Sequence, residues 1–463
     1  MGLKLMNILT ILVLSWLASA TTSQADVFDV TSSIYGGKPG YDIAEVQYYL
    51  SLFTNGQYIH GYDQGLAKAW RDACSSESAG KVVVPSGTYK LKEAIFEGPC
   101  KAPIEVHIQG TLQAPKDPSS DVWVTFSSIN MLTLSGGGTF DGQGAHGSKR
   151  GDFRDVKFSS ITNSIVKDIT SLNSKKFHIS VTECTNVVFD HLTITSPTDD
   201  ANTDGIDIGS SNGINVTHTN IATGDDCIAV GEGTNQLLVT GVTCGPGHGI
   251  SIGSLGQRPD EQPVVGVTVM NCTIVGTTNG ARIKTWPDSP GASTASDIVF
   301  EDIVMANVEN PIIIDQNYCS GEDDDRCKQT IPSEVQIRNV RFKNIRGSSA
   351  TPIAVNLACS PSVPCQDVEL EDVDLTYNGD EGLLSSQCIN VRPRITRVAK
   401  ALACANVPGL PSDNSPPPPL YDYQSPMIYT GAPDNSSCSW PRASVMVYLL
   451  ISGLGARLLQ RLL

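Results

Sequence analysis

Charge and aromatic rings are both scarce in this chain. Of its 463 residues, 17% are charged and 6% aromatic, and the formal net charge is −16. A nucleic-acid binder would carry a basic surface, so this balance argues against that class. No C-x-x-C pair and no Cys/His ligand spacing occurs, which argues against a structural zinc site. The apolar stretch Ile8 to Leu17 is too short to span a bilayer, and its flanks are wrong for an anchor. No membrane association is expected for the mature domain.

Glycine, by contrast, is plentiful at 42 residues, and Asn, Thr and Ser are common. That mix favours many short strands joined by tight turns over packed helices. The length allows one large domain or two to three ordinary ones. The acidity says little about substrate, because net charge governs solubility and steering while a site can hold its own cations.

The N-terminus reads as a signal peptide over 1–20: Lys4 as the positive region, Ile8 to Leu17 as the apolar region, and Ala18-Ser19-Ala20 before the cut. A secreted, extracellular protein is expected. Thirteen cysteines fit an oxidising compartment, and their odd number leaves a free thiol or an intermolecular bridge. Cys227/Cys244, Cys319/Cys327 and Cys359/Cys365 are close enough in sequence to be local staples, with connectivity open. Asn215, Asn271 and Asn435 begin N-x-S/T sequons. Asn215 and Asn271 lie inside alternating apolar runs, so glycosylation there is an open question.

The middle of the chain repeats itself. Asp204-Gly-Ile-Asp-Ile-Gly209, Asp226-Cys-Ile-Ala-Val-Gly231 and His248-Gly-Ile-Ser-Ile-Gly253 start 22 residues apart. Phe177-His-Ile-Ser-Val181 precedes them and Asn279-Gly-Ala-Arg-Ile-Lys284 follows, with longer insertions. Each shows the period-two apolar pattern of a short strand, and further strands follow within each repeat, such as Val188 to Ile194 and Leu237 to Val239. One such coil cannot bury its apolar face alone, but stacked coils share a continuous interior. The expected fold is therefore all-β, a parallel β-helix running to about Leu375. Leu66, Ala69/Trp70 and Ala73 have helical spacing and predict a short amphipathic helix that caps the solenoid. The organisation expected is an N-terminal segment with its capping helix over 26–80, a β-helix over 81–404, and a Pro/Ser-rich tail over 405–463 that ends in an apolar stretch.

In a β-helix, a spacing of one coil is a vertical relation of about 4.8 Å. Asp204, Asp226 and His248 thus share a column, and Asp225 stands beside it. Like charges this close repel and raise one another's pKa. A hydrolase has a use for them, since glycoside hydrolysis needs one carboxyl to protonate the leaving oxygen and another to activate water. A calcium site is the rival reading. Arg282 and Lys284 weigh against it: they alternate with Ala281 and Ile283, face outward one coil on, and suit a sugar carboxylate.

Four motifs in this order, Asn202-Thr-Asp204, Gly224-Asp-Asp226, Gly247-His-Gly249 and Arg282-Ile-Lys284, resemble those of the polygalacturonase family of glycoside hydrolases. The resemblance runs from about Val82 to Cys404. Cys244 to Gly256 and Pro311 to Cys319 look like the plant members, particularly the pollen exopolygalacturonases. It implies a right-handed parallel β-helix and inverting hydrolysis of α-1,4-galacturonan in pectin of the cell wall, exo-acting, by a monomer that needs no cofactor or metal. Carried over residue by residue, Asp225 is the general acid, Asp204 and Asp226 activate water, and His248 supports the acid or binds substrate. Asn202, Arg282, Lys284 and Tyr318 would bind the sugar. Asp225 and Asp226 could not both face outward in a regular strand, so a turn or bulge at Gly224 is expected. Residues 46–62 depart from the family pattern and predict an insertion. The segment 444–463 also departs from it.

Overall fold

The structure is a computed structural model and describes residues 25–44, 47–51, 58–62, 65–144, 151–198, 202–319 and 331–404. The predicted signal peptide, the tail, Cys327, Cys438 and Asn435 lie outside the described residues.

The chain winds as a right-handed parallel β-helix, the hand that parallel crossover connections adopt. Each coil contributes strands to parallel ladders that run along the described β-helix. One ladder has eleven strands, from Ala94–Glu97 to Ser385–Ile389. Its register stacks Ile206 on Ile228, then Ile250, Ala281, Ile312 and Val355, each fully buried. The period-two pattern is the cause: alternate side chains must point into the coil, where the next coil covers them. Aromatic rings continue the stacking. Phe96 lies on Phe126 at 4.5 Å between centroids, and Phe126 on Phe158 at 5.2 Å.

Corners of the coils hold left-handed backbone at corresponding positions. Asp168, His191, His218, Gly241, Asn271, Asp302, Asn344 and Asp372 form one such column, all at positive φ. Asn and Asp tolerate that region best among residues with a side chain, which explains their abundance at these positions. Asn271 of the second sequon is thus an exposed corner residue, whereas Asn215 lies within the strand Asn212–Thr217.

The capping helix forms as expected, over Leu66–Ser75, and buries Leu66, Ala69, Trp70 and Ala73. Trp70 meets the edge of Phe96 at 5.1 Å, and Cys74–Cys100 ties the helix to the first coils. The ladders include Asp26–Asp29, which pairs on Gly80–Val84 ahead of residue 81, and continue past Leu375 to Arg394–Thr396, inside the expected 81–404. The terminal strands have only four and three residues, so their apolar alternation is too brief to read. The suspected insertion contains an antiparallel pair, Gln47–Ser51 with Tyr58–Tyr62, that joins neither parallel sheet.

Cys227–Cys244 and Cys359–Cys365 are bridged, as their spacing suggested, and Cys388–Cys404 closes the last coils. Cys319 is disulfide-bonded. Cys184 and Cys272 are free and buried.

Candidate active site

The eleven-stranded ladder carries the acids on its outer side. Ile206 pairs with Ile228 and Ile228 with Ile250, so Asp204, Asp226 and His248, each two residues earlier, keep the predicted column. Backbone bonds continue the ladder there: Gly205 N donates to Asp226 O at 2.9 Å, and Cys227 N to Gly249 O at 2.8 Å. Gly224 and Asp225 form a bend ahead of the strand Ile228–Val230. That bend frees Asp225 and Asp226 from strand alternation, as the adjacent carboxylates required. Thr203 Oγ1 accepts the Gly224 amide at 2.8 Å, and the Cys227–Cys244 bridge closes the turn from its other side. Gly247 has φ 150°, and a Cβ there would stand 2.7 Å from the Asp225 carbonyl oxygen. Only glycine lets the next coil pass so close.

Asp226 is fully buried and holds the centre. Its Oδ1 accepts from Ser251 Oγ at 2.8 Å and Arg282 Nη2 at 2.7 Å, and its Oδ2 accepts from Lys284 Nζ at 2.7 Å. Arg282 and Lys284 do face outward, since Ile283 is in the core, but they are only 9% and 6% exposed. Tyr318 covers both, with its ring centroid 5.8 Å from the guanidinium carbon and 4.9 Å from the ammonium. The two cations expected to await a sugar carboxylate are therefore already paired with Asp226. Outward direction did not mean exposure, because an aromatic side chain from the following coil closes over them.

His248 leaves its own column and turns sideways. Its Nδ1 donates to Asp225 Oδ1 at 2.8 Å, an oxygen that also accepts the Asp226 amide. Burial pushes the Asp225 carboxyl up, but the His248 bond and charge, aided by Lys284, outweigh it and leave the pKa lowered. Asp204 goes the other way. Burial, then the charges of Asp207, Asp225 and Asp226, raise it well above the usual carboxylate range. Asp207, three residues on, is pushed up to about 7 by burial and by Asp226, against the pull of Arg154 and Lys284. Asp204, Asp207 and Asp225, on two neighbouring coils, thus differ in their readiness to hold a proton, the pattern a proton-transfer site needs.

Ligand atoms of Asp225, Asp226 and His248 lie within 4.8 Å of one another. The donor set does not suit calcium, which takes six to eight oxygens. An added divalent cation would also sit beside Arg282 and Lys284, already bound to Asp226. Asn202 is exposed at the corner before Asp204, with φ 58°. Asp207, Ser251 and Phe177 were not singled out from the sequence. Asp207 and Ser251 share one outward row with Arg282, and continuing that row through the repeats would have found both. Phe177 lies one coil before Asp204, with Arg154 and Lys176 5.3 Å and 4.8 Å from its ring centroid.

Residues 74–404 match the model of glycosyl hydrolases family 28. The chain belongs to that family. It is 43% identical to a polygalacturonase of Medicago sativa, over 88% of this chain and 94% of that one. It is 44% identical to an exopolygalacturonase of Platanus acerifolia, over 74% and 94%. Among solved structures it resembles an endo-xylogalacturonan hydrolase from Aspergillus tubingensis, with a TM-score of 0.60 at 25% identity, covering 72% of this chain and 92% of that one. Being a family 28 glycoside hydrolase, the chain has its acid cluster and basic pair on the outer side of one ladder, within the matched region.

Proposed function

We propose that this enzyme is a polygalacturonase that cleaves α-1,4-galacturonosyl linkages of pectin from a chain end, with inversion, acting as a monomer at the cell wall outside the cell. The observation that carries the reading is the separation of roles among adjacent carboxyls: Asp225 bonded to His248, Asp226 paired with Arg282 and Lys284, and Asp204 with its pKa raised by burial and by its acidic neighbours. Asp225 and His248 together hold a transferable proton. An anionic galacturonate unit arriving beside them raises the affinity of Asp225 for it. Asp225 then passes the proton to the glycosidic oxygen as the bond to the anomeric carbon breaks. Water attacks from the opposite side and gives its proton to the Asp204/Asp226 pair, of which Asp226 carries the charge. Arg282 and Lys284, with Tyr318 over them, place positive charge where the sugar carboxylate would lie, and exposed Asn202 lies at the rim.

The end-acting mode is favoured by the similarity to proteins named exopolygalacturonases in Platanus acerifolia and Oenothera organensis. Phe177, with Arg154 and Lys176 against its ring, also occupies the ladder one coil before Asp204.

A second assignment is favoured by the raised pKa of Asp204, which would make that residue the proton donor. Leaving groups separate the two. Asp225→Asn and Asp204→Asn are assayed on polygalacturonate and on a galacturonide with an activated aryl leaving group. The variant that lost the acid recovers activity only on the aryl substrate. Recovery by Asp225→Asn supports the roles above, and recovery by Asp204→Asn exchanges them. Release of reducing ends as monomer from the first turnovers, initially the β-anomer, supports exo action with inversion. A ladder of oligomers refutes the exo mode, and a folded protein that releases nothing refutes the function.

A further inference from the structure

We propose that Asp190, His191 and His218 form a surface site for a divalent late transition ion, Zn2+ or Cu2+, on the sheet away from the acids. The chain has seven histidines. Two of them occupy successive places in one corner column, at φ 54° and 48°. The shared corner geometry aims both rings the same way, stacked at 4.9 Å with 24° between their planes. Asp190 sits between them. Its Oδ2 accepts from His191 Nδ1 at 2.7 Å and its Oδ1 from His218 Nδ1 at 2.9 Å. Thr217 Oγ1 donates to the same Oδ1 at 2.5 Å and fixes the carboxylate. One ligand atom from each of the three residues falls within 4.8 Å of the others.

Two imidazole nitrogens and one carboxylate oxygen are the donor set that zinc and copper prefer. Ligand atoms around a tetrahedral zinc stand about 3.3 Å apart, given bonds of about 2.0–2.1 Å. The observed separations of 2.7 and 2.9 Å need only a small outward movement to admit the ion. On binding, each neutral imidazole carries its proton on Nε2 instead of Nδ1, and no other proton moves. The side chains of His191 and His218 are 58% and 60% exposed, so water can complete the coordination. Thr217 takes the part of the outer partner that orients a ligand. Lys167 is the register partner of Asp190 on the preceding coil and the cation in line with the site.

The test is calorimetric titration of tag-free full-length protein with Zn2+, and electron paramagnetic resonance of the Cu2+ form. Wild type is expected to bind a single tight ion per chain, with two-nitrogen coupling in the copper spectrum. His191→Gln/His218→Gln should lose that ion while keeping its circular dichroism and its hydrolase activity. Thr217→Val should weaken binding about 10-fold. No tight ion in wild type overturns the proposal. So does a tight ion that survives in the double variant, because it then resides elsewhere, as at Asp225 and His248.

Discussion

Replacing Asp207 by Asn isolates the cost of holding a carboxyl among other carboxyls. The side chain faces outward between Ile206 and Ile208, in the row that continues to Ser251 and Arg282. Its pKa stands at about 7 against an ordinary 3.8, with burial the main cause and Asp226 the next. Such a group binds its proton more tightly folded than unfolded. Below about pH 3.8 both states are protonated and there is no penalty. Between 3.8 and 7 the unfolded chain releases the proton first, so folding becomes less favourable as pH rises, and above about 7 the penalty is complete. The difference corresponds to about 4 kcal/mol at full strength. Asp207 retains partial contact with solvent, which screens it, so about 1–2 kcal/mol is the expected size. Asn keeps the shape and cannot ionise. Denaturant unfolding of Asp207→Asn and wild type at about pH 4.5 and about pH 8 should show the variant gaining little stability at the lower pH and most of it at the higher. Equal differences at both pH values, or a variant less stable at pH 8, would refute the reasoning.

Asp226→Asn strands two buried cations and should cost about 3–5 kcal/mol in the same unfolding assay, together with activity; a variant of wild-type stability would show that the pairs hold nothing in place. His248→Gln removes the main opposition to burial at Asp225, so the Asp225 pKa should rise. The limb of the kcat/KM profile that reports it should then move to higher pH, and an unmoved limb would separate His248 from the proton. Cys244→Ser opens the 17-residue link to Cys227 and should cost about 3 kcal/mol in thermal unfolding. Because Cys227 follows Asp226 directly, hydrolysis should fall even at temperatures where the variant remains folded, as measured by reducing-end release.

The coil column was legible because each repeat carries its own ruler. Inward Ile206, Ile228 and Ile250 mark the register, and Asp204, Asp226 and His248 follow from it by counting back two residues. The turn at Gly224 was legible by a similar argument, since adjacent residues cannot both face outward in a regular strand. Depth was not legible. Counting places Arg282 and Lys284 on the outer side, but their burial depends on Tyr318, more than thirty residues later and reached through another coil. The direction His248 takes was hidden for the same reason. It shares a column with Asp226 and bonds to Asp225, because Asp226 already has Ser251, Arg282 and Lys284. The edges of the solenoid were hidden by brevity: Arg394–Thr396 is too short to show a period.

A repeat can gather like charges, but it cannot distinguish them, and the chemistry needs them distinguished. Asp204, Asp225 and Asp226 are presented by equivalent segments of two neighbouring coils, and identical surroundings would give them similar proton affinities. The asymmetry comes from what the neighbouring coils bring. The coil after Asp226 supplies His248 to Asp225 and Ser251 to Asp226, and the next supplies Arg282 and Lys284 to Asp226. Among the described residues Asp204 makes no such ion pair; burial and Asp207 dominate there, and Lys284 opposes them only weakly in comparison. From Asp204 onward, charge therefore grades along the helix axis, from acid-crowded at Asp204 and Asp207 to cation-rich at Arg282 and Lys284, while Arg154 and Lys176 stand on the coils before it. A polyanionic chain lying along that gradient would find its carboxylates favoured on one side of the scissile bond and a proton held in place beside it. That is a reason for the acids to precede the bases in chain order, and moving Lys284 three coils earlier, to the acid-crowded end, should abolish hydrolysis without dispersing the acids.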